Sequence, residues 1–194
     1  TGVLTGKGIS FGGSLARPEA TGYGLCYYTN KLLEIKLGET FKGKKVVISG
    51  SGNVALYALQ KATSLGATVV AMSDSNGYIY DESGIKFDVL KDIKEVKKLR
   101  IKEYVNVVKS AKYTEGSLGI WDVKCDVCLP CATQNEVNLD IAKKIVANGV
   151  IAFCEGANMP CTFEASEYFI KNKVLYGPAK AANAGGVMVS GFEM

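Results

Sequence analysis

The sequence predicts an α/β fold, a doubly wound and mostly parallel sheet with helices on both faces. The run KKVVIS at 44–49 is rich in β-branched residues, as expected for a strand that is covered on both sides. An amphipathic stretch at 54–66 and a second apolar run, TVVAMS at 68–73, complete one βαβ unit. Further segments alternate between buried-strand and helix patterns, at 127–129, 138–147, 150–154, 163–171 and 174–176. Such alternation is typical of an open parallel sheet.

A helix is predicted to precede this unit. After the Gly/Ser-rich loop TGKGISFGGS, Pro18 and Glu19 have the character of a first helical turn, and Gly38 is suited to end the helix. Between them apolar residues recur at 3-4-3 spacing, namely Leu25, Tyr28, Leu32 and Ile35. One face of this helix is therefore expected to be buried.

The composition is that of an ordinary globular protein. The chain has 194 residues, 47% hydrophobic and 22% charged, enough to bury a sizeable core. Its net charge of +4 is too small to indicate nucleic-acid binding, and no apolar run approaches the roughly 20 residues that cross a bilayer. The start lacks the order of a signal peptide, and six cysteines in apolar segments fit a reducing compartment. We expect a cytoplasmic protein without nucleic-acid or membrane partners.

The strongest chemical signal is the turn SGSGNVA after the first predicted strand. Gly50, Gly52 and Ala55 form a G-x-G-x-x-A pattern, which allows a tight turn, close approach of a pyrophosphate and close packing of helix on strand. The free N–H groups of the helix start, at Asn53 and Val54, would hold the phosphates. A turn that merely needs glycine is the alternative. With strand and helix both in place, the pattern favours a Rossmann-like domain that binds NAD or NADP.

The choice between the two coenzymes stays open at this point. Asp74, 24 residues after Gly50, is the acid expected on the ribose 2′-hydroxyl, which favours NAD. Against this, the segment 86–102 carries seven Lys or Arg and three acids. We expect Lys94, Lys97 and Lys98 to share one face of a helix there, either as a solvated surface or as a phosphate site.

The motif CDVCLPCATQNE has the spacing of a metal site but lacks the remaining ligands. An iron–sulfur run needs a fourth cysteine at position 135, which is Asn, and the chain contains no histidine for zinc. Cys125 and Cys128 flank two residues of a predicted strand, so we expect them to point to opposite faces. The motif therefore indicates no metal, but a strand followed by a ligand-facing loop at its carboxyl end.

Two later segments resemble ligand-binding loops. EGANMP places Asn158 just after a predicted strand, although an asparagine in a simple turn would look the same. In NAGGVMVSG, a helix from Asn183 would align Asn183, Val187 and Ser190 on one stripe. The glycines at 185–186 cost about 1 kcal/mol each in a helix, so their small size should serve either a ligand or helix packing.

Taken in order, the motifs GKGISFGGSLARPEATGYG, SGSGNVA, SDSNGYIYD, LPCATQNE, EGANMP and KAANAGGVMVSGFEM resemble the coenzyme-binding domain of hexameric glutamate dehydrogenase, NADP-linked class. The resemblance covers essentially the whole chain. It implies oxidative deamination of L-glutamate to 2-oxoglutarate and ammonia, run in reverse for ammonia assimilation, in a homo-hexamer.

The resemblance also implies roles for individual residues. Arg17 and Thr21 match positions that hold the nicotinamide carboxamide. Matches to the nicotinamide-ribose side are Ala132, Thr133, Gln134, Asn158 and Asn183. Val187 and Ser190 match the pocket for the glutamate side chain and its γ-carboxylate. In the NADP-linked class an acid at the Asp74 position coexists with the 2′-phosphate, which we expect to be bound by Ser75, Lys97 and Arg100.

In this family the catalytic lysines and the general acid–base aspartate lie in a separate substrate domain, expected to precede Thr1. Residues 1–194 are thus expected to form one dinucleotide-binding domain of a longer enzyme, able to bind coenzyme but inactive alone, and monomeric or weakly oligomeric. Two alternatives stay open. A leucine- or phenylalanine-type dehydrogenase should carry an apolar residue in place of Ser190. A non-catalytic nucleotide-sensing or metal-binding module would take up metal through its thiols.

Overall fold

A computed structural model describes residue 10 and residues 18–192. Its strands are β1 (Lys45–Ser49), β2 (Thr68–Ser73), β3 (Gly77–Tyr80), β4 (Lys112–Glu115), β5 (Val127–Pro130), β6 (Ala152–Cys154) and β7 (Leu175–Gly177). Its α-helices are α1 (Ala20–Leu37), α2 (Asn53–Ser64), α3 (Phe87–Lys91), α4 (Tyr104–Val107), α5 (Leu139–Ala147), α6 (Phe163–Lys171), α7 (Ala179–Ala182) and α8 (Ala184–Phe192). In these residues no helix is long and apolar enough to span a membrane.

The strands form one sheet in the order β4-β3-β2-β1-β5-β6-β7. Strand β3 pairs antiparallel with both β2 and β4, and the other neighbouring strands pair parallel. This confirms the predicted mostly parallel sheet. Strands β3 and β4 were not predicted, because alternate residues of β3 are only partly buried and those of β4 are partly or fully exposed.

Helices cover both faces of the sheet, which confirms the doubly wound arrangement. Val46 and Ile48 of β1 join a core cluster that also contains α1 and α2, whereas Val47 between them joins a second cluster with α5 and α6. Successive side chains of a strand point to opposite faces, so one apolar run serves both clusters. The carboxyl ends of the central strands are left free at one edge, between the two helical layers.

The predicted helix over 86–102 is wrong in its second half. The α-helical hydrogen-bonding pattern of α3 ends at Lys91, and the chain continues as a single π-helical turn, Asp92–Val96. Lys98 has a left-handed backbone with φ of 53°, so the chain leaves the helix before that residue. Lys94, Lys97 and Lys98 therefore do not share a helical face, because the repeat assumed for them is interrupted.

Gly22 brings α1 and α2 into close contact. A Cβ added at Gly22 would lie 2.7 Å from the Ala58 nitrogen and 2.7 Å from the Val54 oxygen, both backbone atoms of α2. We expect Gly22→Ala to lower the free energy of unfolding by about 2 kcal/mol, because the two helices must separate. Denaturant unfolding followed by fluorescence of Trp121, the single tryptophan, measures this.

The matched control is Gly191→Ala in α8, where an added Cβ has no neighbour within 4 Å among the described residues. Helix propensity alone should stabilise both variants, by up to about 1 kcal/mol. A stabilised Gly22→Ala variant would show that the helices are not in tight contact at Gly22.

Candidate functional site

Two cavities lie side by side at the carboxyl ends of the central strands. The first, of about 480 Å³, is lined by residues after β1 and β2 and is called the β2 cavity. The second, of about 420 Å³, is lined by residues of α8 and of the loop after β6 and is called the α8 cavity. Cys131 and Ala132, which follow β5, line both cavities. An elongated ligand can therefore span the two, with the start of α2 between them.

The glycine turn after β1 is built as its sequence predicts. Gly50 has φ of 87°, and a Cβ there would lie 3.0 Å from the carbonyl oxygen of Cys131, so both backbone and space require glycine. Gly52 is different, because its φ of −83° suits any residue. In the described structure no atom lies within 4 Å of a Cβ at Gly52. The space in front of Gly52 is open and faces the β2 cavity.

The start of α2 is an anion-binding terminus. Gly52 is the N-cap, and within the described residues no side chain caps it. The first N–H to find a helical partner is that of Leu56, which donates to the Gly52 carbonyl at 2.9 Å. The preceding N–H groups, including those of Asn53 and Val54, have no acceptor among the described residues and can bind an anion, which the helix dipole favours there.

Asp74 directly follows β2, and its carboxylate is already engaged by the backbone. Its Oδ1 accepts hydrogen bonds from the N–H groups of Asn76 at 2.8 Å and Gly77 at 3.2 Å, and its Oδ2 accepts one from Ile101 at 3.3 Å. Only 5% of the side chain is exposed. The acid therefore holds the turn after β2 and the segment before α4 together, whatever else it contacts.

Positive charge lies beside this acid. The guanidinium of Arg100 has its Nη1 3.9 Å from Asp74 Oδ2 and donates a 2.8 Å hydrogen bond to the hydroxyl of Ser75. Lys94 also lines the β2 cavity. Lys97 lies outside both cavity linings and forms an ion pair with Asp92 at 2.7 Å. The structure thus brings Ser75 and Arg100 together with Asp74 and does not bring Lys97 to them.

Sequence reasoning missed Glu136 as a lining residue of the β2 cavity. Its Oε1 accepts hydrogen bonds from the Ser49 hydroxyl at 2.8 Å and the Ala132 N–H at 3.3 Å. Burial raises the pKa of the Glu136 carboxyl, although these hydrogen bonds oppose the rise. Glu136 is the last residue of the predicted ligand-facing loop ATQNE, and this position was the available signal.

The α8 cavity collects most of the predicted residues of the later motifs. Thr21, Val54, Asn158, Asn183, Val187 and Ser190 line it. The amide nitrogen of Asn183 donates to Asn158 Oδ1 at 2.9 Å, which fixes both side chains at the cavity wall. Although α8 begins at Ala184 and not at Asn183, the predicted stripe of Asn183, Val187 and Ser190 faces one cavity.

The two glycines of α8 have different roles, one in helix packing and one in leaving room for a ligand. A Cβ at Gly185 would lie 2.4 Å from the Ala20 carbonyl oxygen of α1, so this glycine serves helix packing. Gly186 lines the α8 cavity, where small size leaves room for a ligand. Among the other predicted residues, Thr133 lines the β2 cavity, whereas Gln134 and Asn53 are exposed and line neither cavity. Arg17 lies outside the described residues.

Glu155, just after β6, is a second acid that the sequence did not single out. It is 4% exposed and accepts hydrogen bonds from the Tyr176 hydroxyl at 2.6 Å and the Ala179 N–H at 2.8 Å. Burial, and then the hydrogen bond to Glu155, raise the pKa of Tyr176. Glu155 therefore ties β6 to the end of β7 and to the start of α7, which leads to Asn183.

The cysteine motif does not converge on one point. Cys131 packs with the first core cluster, whereas Cys125 and Cys128 belong to the second. The expectation that Cys125 and Cys128 point to opposite faces is wrong, because Cys125 precedes β5 and is not part of the strand. Within residues 18–192, no three potential ligands from His, Cys, Asp and Glu lie together as a metal site.

The polar groups that line the two cavities are amides, hydroxyls, backbone N–H groups, the cations Lys94 and Arg100, and the carboxyl groups of Asp74 and Glu136. These groups bind and orient a ligand. An elongated molecule with a charged centre fits the arrangement, with its centre at the start of α2 and its ends in the two cavities.

Known proteins resemble this chain in sequence and in fold. The family model described as glutamate/leucine/phenylalanine/valine dehydrogenase matches residues 12–194. An NADP-specific glutamate dehydrogenase of Haemophilus influenzae is 54% identical over 99% of this chain and 43% of its own length. An NAD(P)-specific glutamate dehydrogenase of Xylanibacter ruminicola is 52% identical over 100% of this chain and 44% of its own length. A crystal structure of Plasmodium falciparum glutamate dehydrogenase has a TM-score of 0.92 and 49% identity, covering 98% of this chain and 41% of that chain. The chain spans less than half the length of these relatives.

Proposed function

The chain belongs to the glutamate/leucine/phenylalanine/valine dehydrogenase family, and we propose that it is the NADP-binding domain of a glutamate dehydrogenase. The whole enzyme interconverts L-glutamate, water and NADP with 2-oxoglutarate, ammonia and NADPH. The Haemophilus influenzae relative at 54% identity, which is named an NADP-specific glutamate dehydrogenase, supports the coenzyme and the substrate. The supporting feature in the chain itself is the set of contacts around Asp74.

The general rule that an acid after the second strand selects NAD requires a carboxylate free to bind the ribose and repel a phosphate. The Asp74 carboxylate accepts three backbone N–H groups and lies beside Arg100, so much of its charge is already compensated. The Ser75 hydroxyl and the Arg100 guanidinium, 2.8 Å apart, present a donor pair to the same cavity. Such a pair suits a 2′-phosphate.

With the 2′-phosphate beside Ser75 and Arg100, the positions of the other parts of the coenzyme follow. The adenosine ribose lies in the β2 cavity, and the pyrophosphate meets the free N–H groups after Gly52 at the start of α2. The nicotinamide end enters the α8 cavity, where Thr21, Asn158 and Asn183 orient it. Val187 and Ser190 also line that cavity, in position to face glutamate.

The groups that carry out the chemistry lie in the part of the enzyme that this chain does not include. Hydride transfer needs glutamate held against the nicotinamide in a closed cleft, and this cleft requires a second domain. We propose that residues 1–194 bind the coenzyme but do not turn over substrate, and that the whole enzyme assembles as a homo-hexamer.

We expect this chain to bind NADPH at least about tenfold more tightly than NADH, and Arg100→Ala to remove most of that preference. The loss of one charge-assisted contact to a phosphate corresponds to about 1.5–3 kcal/mol. Titration of both coenzymes by their fluorescence, at low and moderate salt, measures the preference. The affinity for NADPH should fall with salt more steeply than that for NADH.

Lys97→Ala is the matched control, since it removes a nearby cation that lies outside both cavity linings. Because Lys97 lies outside both linings, its removal should change the affinity for NADPH only slightly. The resemblance, which placed Lys97 at the 2′-phosphate, instead predicts a clearly lower affinity. A preference for NADH in the unaltered chain would contradict the NADP assignment. Equal binding of both coenzymes would instead group the chain with the NAD(P)-specific relative.

A further inference from the structure

Cys125 and Cys128 form a close thiol pair that the proposed function does not use. Their Sγ atoms lie 3.5 Å apart, in contact, within the second core cluster. Cys128 is the second residue of β5, and Cys125 lies in the short connection between the 3-10 helix Ser117–Asp122 and that strand. The gap must shrink to about 2.05 Å for a disulfide, which requires rotation of both side chains and small movement of the irregular segment.

Of the two thiols, Cys125 borders solvent, although it is only 5% exposed. Cys125 lines an open cavity of about 890 Å³ whose other residues include Lys45, Lys112 and Lys124. Lys45 and Asp126, which also line it, lie at the starts of β1 and β5, so the cavity is at the opposite end of the sheet from the β2 and α8 cavities. Three ammonium groups around this opening outnumber the carboxylate of Asp126 and favour the approach of polar or anionic molecules.

We propose that Cys125 and Cys128 are a redox-active dithiol that a small hydroperoxide oxidises to a disulfide. The Cys125 thiolate attacks one peroxide oxygen, the O–O bond breaks, and the leaving oxygen takes up a proton to depart as water or an alcohol. Cys125 is left as a sulfenic acid. The Cys128 sulfur then attacks the Cys125 sulfur, the S–S bond forms, and the hydroxyl leaves as water with the proton of the Cys128 thiol.

The order of attack follows from the surroundings of the two sulfurs. Cys125 lines the cavity, whereas Cys128 lies behind it in the strand. Burial, and then the hydrogen bond with Cys125, raise the pKa of Cys128 well above its ordinary value, so Cys128 stays a thiol until the sulfenic acid has formed.

Other cysteines are poorer candidates. Burial raises the pKa of Cys154 to about 12, and that of Cys26 is raised further. Cys161 is the remaining thiol near Cys128, and burial raises its pKa strongly as well. For the described residues, the structure records a sulfur–sulfur contact for the Cys125–Cys128 pair alone.

The test is exposure of the folded, reduced protein to a small excess of hydrogen peroxide, followed by quenching and denaturation. We expect two of the six thiols to become unreactive and the mass to fall by two hydrogens. Trypsin releases Cys125, Cys128 and Cys131 on one peptide, 125–143. In a 125–143 peptide that has lost two hydrogens, fragmentation between Cys128 and Cys131 yields separate fragments only if the disulfide closes 125–128.

Two variants complete the experiment. Cys128→Ala should form no disulfide and should trap Cys125 as a sulfenic acid, detected by dimedone labelling. Cys161→Ala is the matched control and should form the disulfide as the unaltered protein does. The proposal is overturned if the folded protein keeps all six thiols, if fragmentation places the bond elsewhere, or if Cys161→Ala abolishes it. The peptide map of the unaltered protein decides even if a variant fails to fold.

Discussion

Replacing Gly52 with threonine is expected to weaken NADPH binding by about 100-fold or more, while the free energy of unfolding stays within about 0.5 kcal/mol of that of the unaltered chain. The backbone of Gly52 has φ of −83° and ψ of −172°, an extended conformation that threonine adopts readily. Within the described structure an added Cβ meets no atom within 4 Å, so the fold accommodates the side chain.

The loss of binding has two causes. The threonine side chain occupies the open space in front of the turn, where the pyrophosphate is proposed to lie. Threonine is also a good N-cap, so its hydroxyl can accept a hydrogen bond from the N–H groups of α2 that are otherwise free for the phosphates. Both effects act on the ligand and neither disturbs the core. Coenzyme fluorescence and denaturant unfolding of the same preparation measure the two quantities separately.

Gly50→Ala provides the contrast. There φ is 87° and the new Cβ would lie 3.0 Å from the Cys131 carbonyl oxygen, so we expect a loss of about 2 kcal/mol in stability. Of the two glycines in this turn, Gly50 is thus required by the fold and Gly52 by the ligand. NADPH binding by Gly52→Thr close to that of the unaltered chain would show that the phosphates do not lie at this turn.

The parts of the fold that were predictable are those fixed by local sequence. Helix α6 occupies 163–171 as predicted, and its start is set by Thr162, whose hydroxyl accepts the N–H of Ala165. Helix α5 likewise starts after Asn138, whose side chain accepts the N–H of Ile141. Caps and hydrophobic repeats act over a few residues, so they can be read without the partner elements. The family membership also confirms the resemblance seen in the motifs.

The parts that were not predictable depend on distant partners. The π-helical turn at 92–96 shifts the lysines that follow, and no signal in the segment 86–102 shows that the helix will change its repeat there. The contact between Cys125 and Cys128 was not predictable, because Cys125 lies in the irregular segment before β5, where the alternation of strand side chains does not apply.

The same holds within the site. Gly50 and Gly52 were recognisable, because a tight turn imposes its own sequence. The roles of Glu136 and Glu155 were not, since Glu136 meets Ser49 from 87 positions away and Glu155 meets Tyr176 from 21 positions away. A buried carboxylate is identified by its partners, and these become neighbours only in the folded sheet.

Glu155→Ala is expected to lower the free energy of unfolding by about 3 kcal/mol and to weaken coenzyme binding in the folded fraction as well. The side chain is 4% exposed and accepts hydrogen bonds from the Tyr176 hydroxyl and the Ala179 N–H. Its removal leaves both half-buried donors without an acceptor and opens a cavity beside β7. Denaturant unfolding followed by Trp121 fluorescence measures the loss.

Two further variants separate the contributions. Tyr176→Phe removes one donor and leaves Glu155 bonded to Ala179, so a loss of only about 1 kcal/mol is expected. Glu155→Gln keeps the shape and can still accept from Ala179, so it should also be milder than Glu155→Ala. If Glu155→Ala were as stable as the unaltered chain, Glu155 would not anchor α7.

The effect on binding follows from the path of the chain. Glu155 fixes Ala179, the first residue of α7, and that helix leads directly into Asn183 and α8. Asn183 reaches Asn158 only if α7 is held in place. A weakened anchor should therefore reduce the affinity for the nicotinamide part of NADPH more than the affinity for a fragment such as 2′-phospho-ADP-ribose, which occupies the β2 cavity and the start of α2. Equal losses for both ligands would mean that the variant acts on the fold as a whole and not through α7.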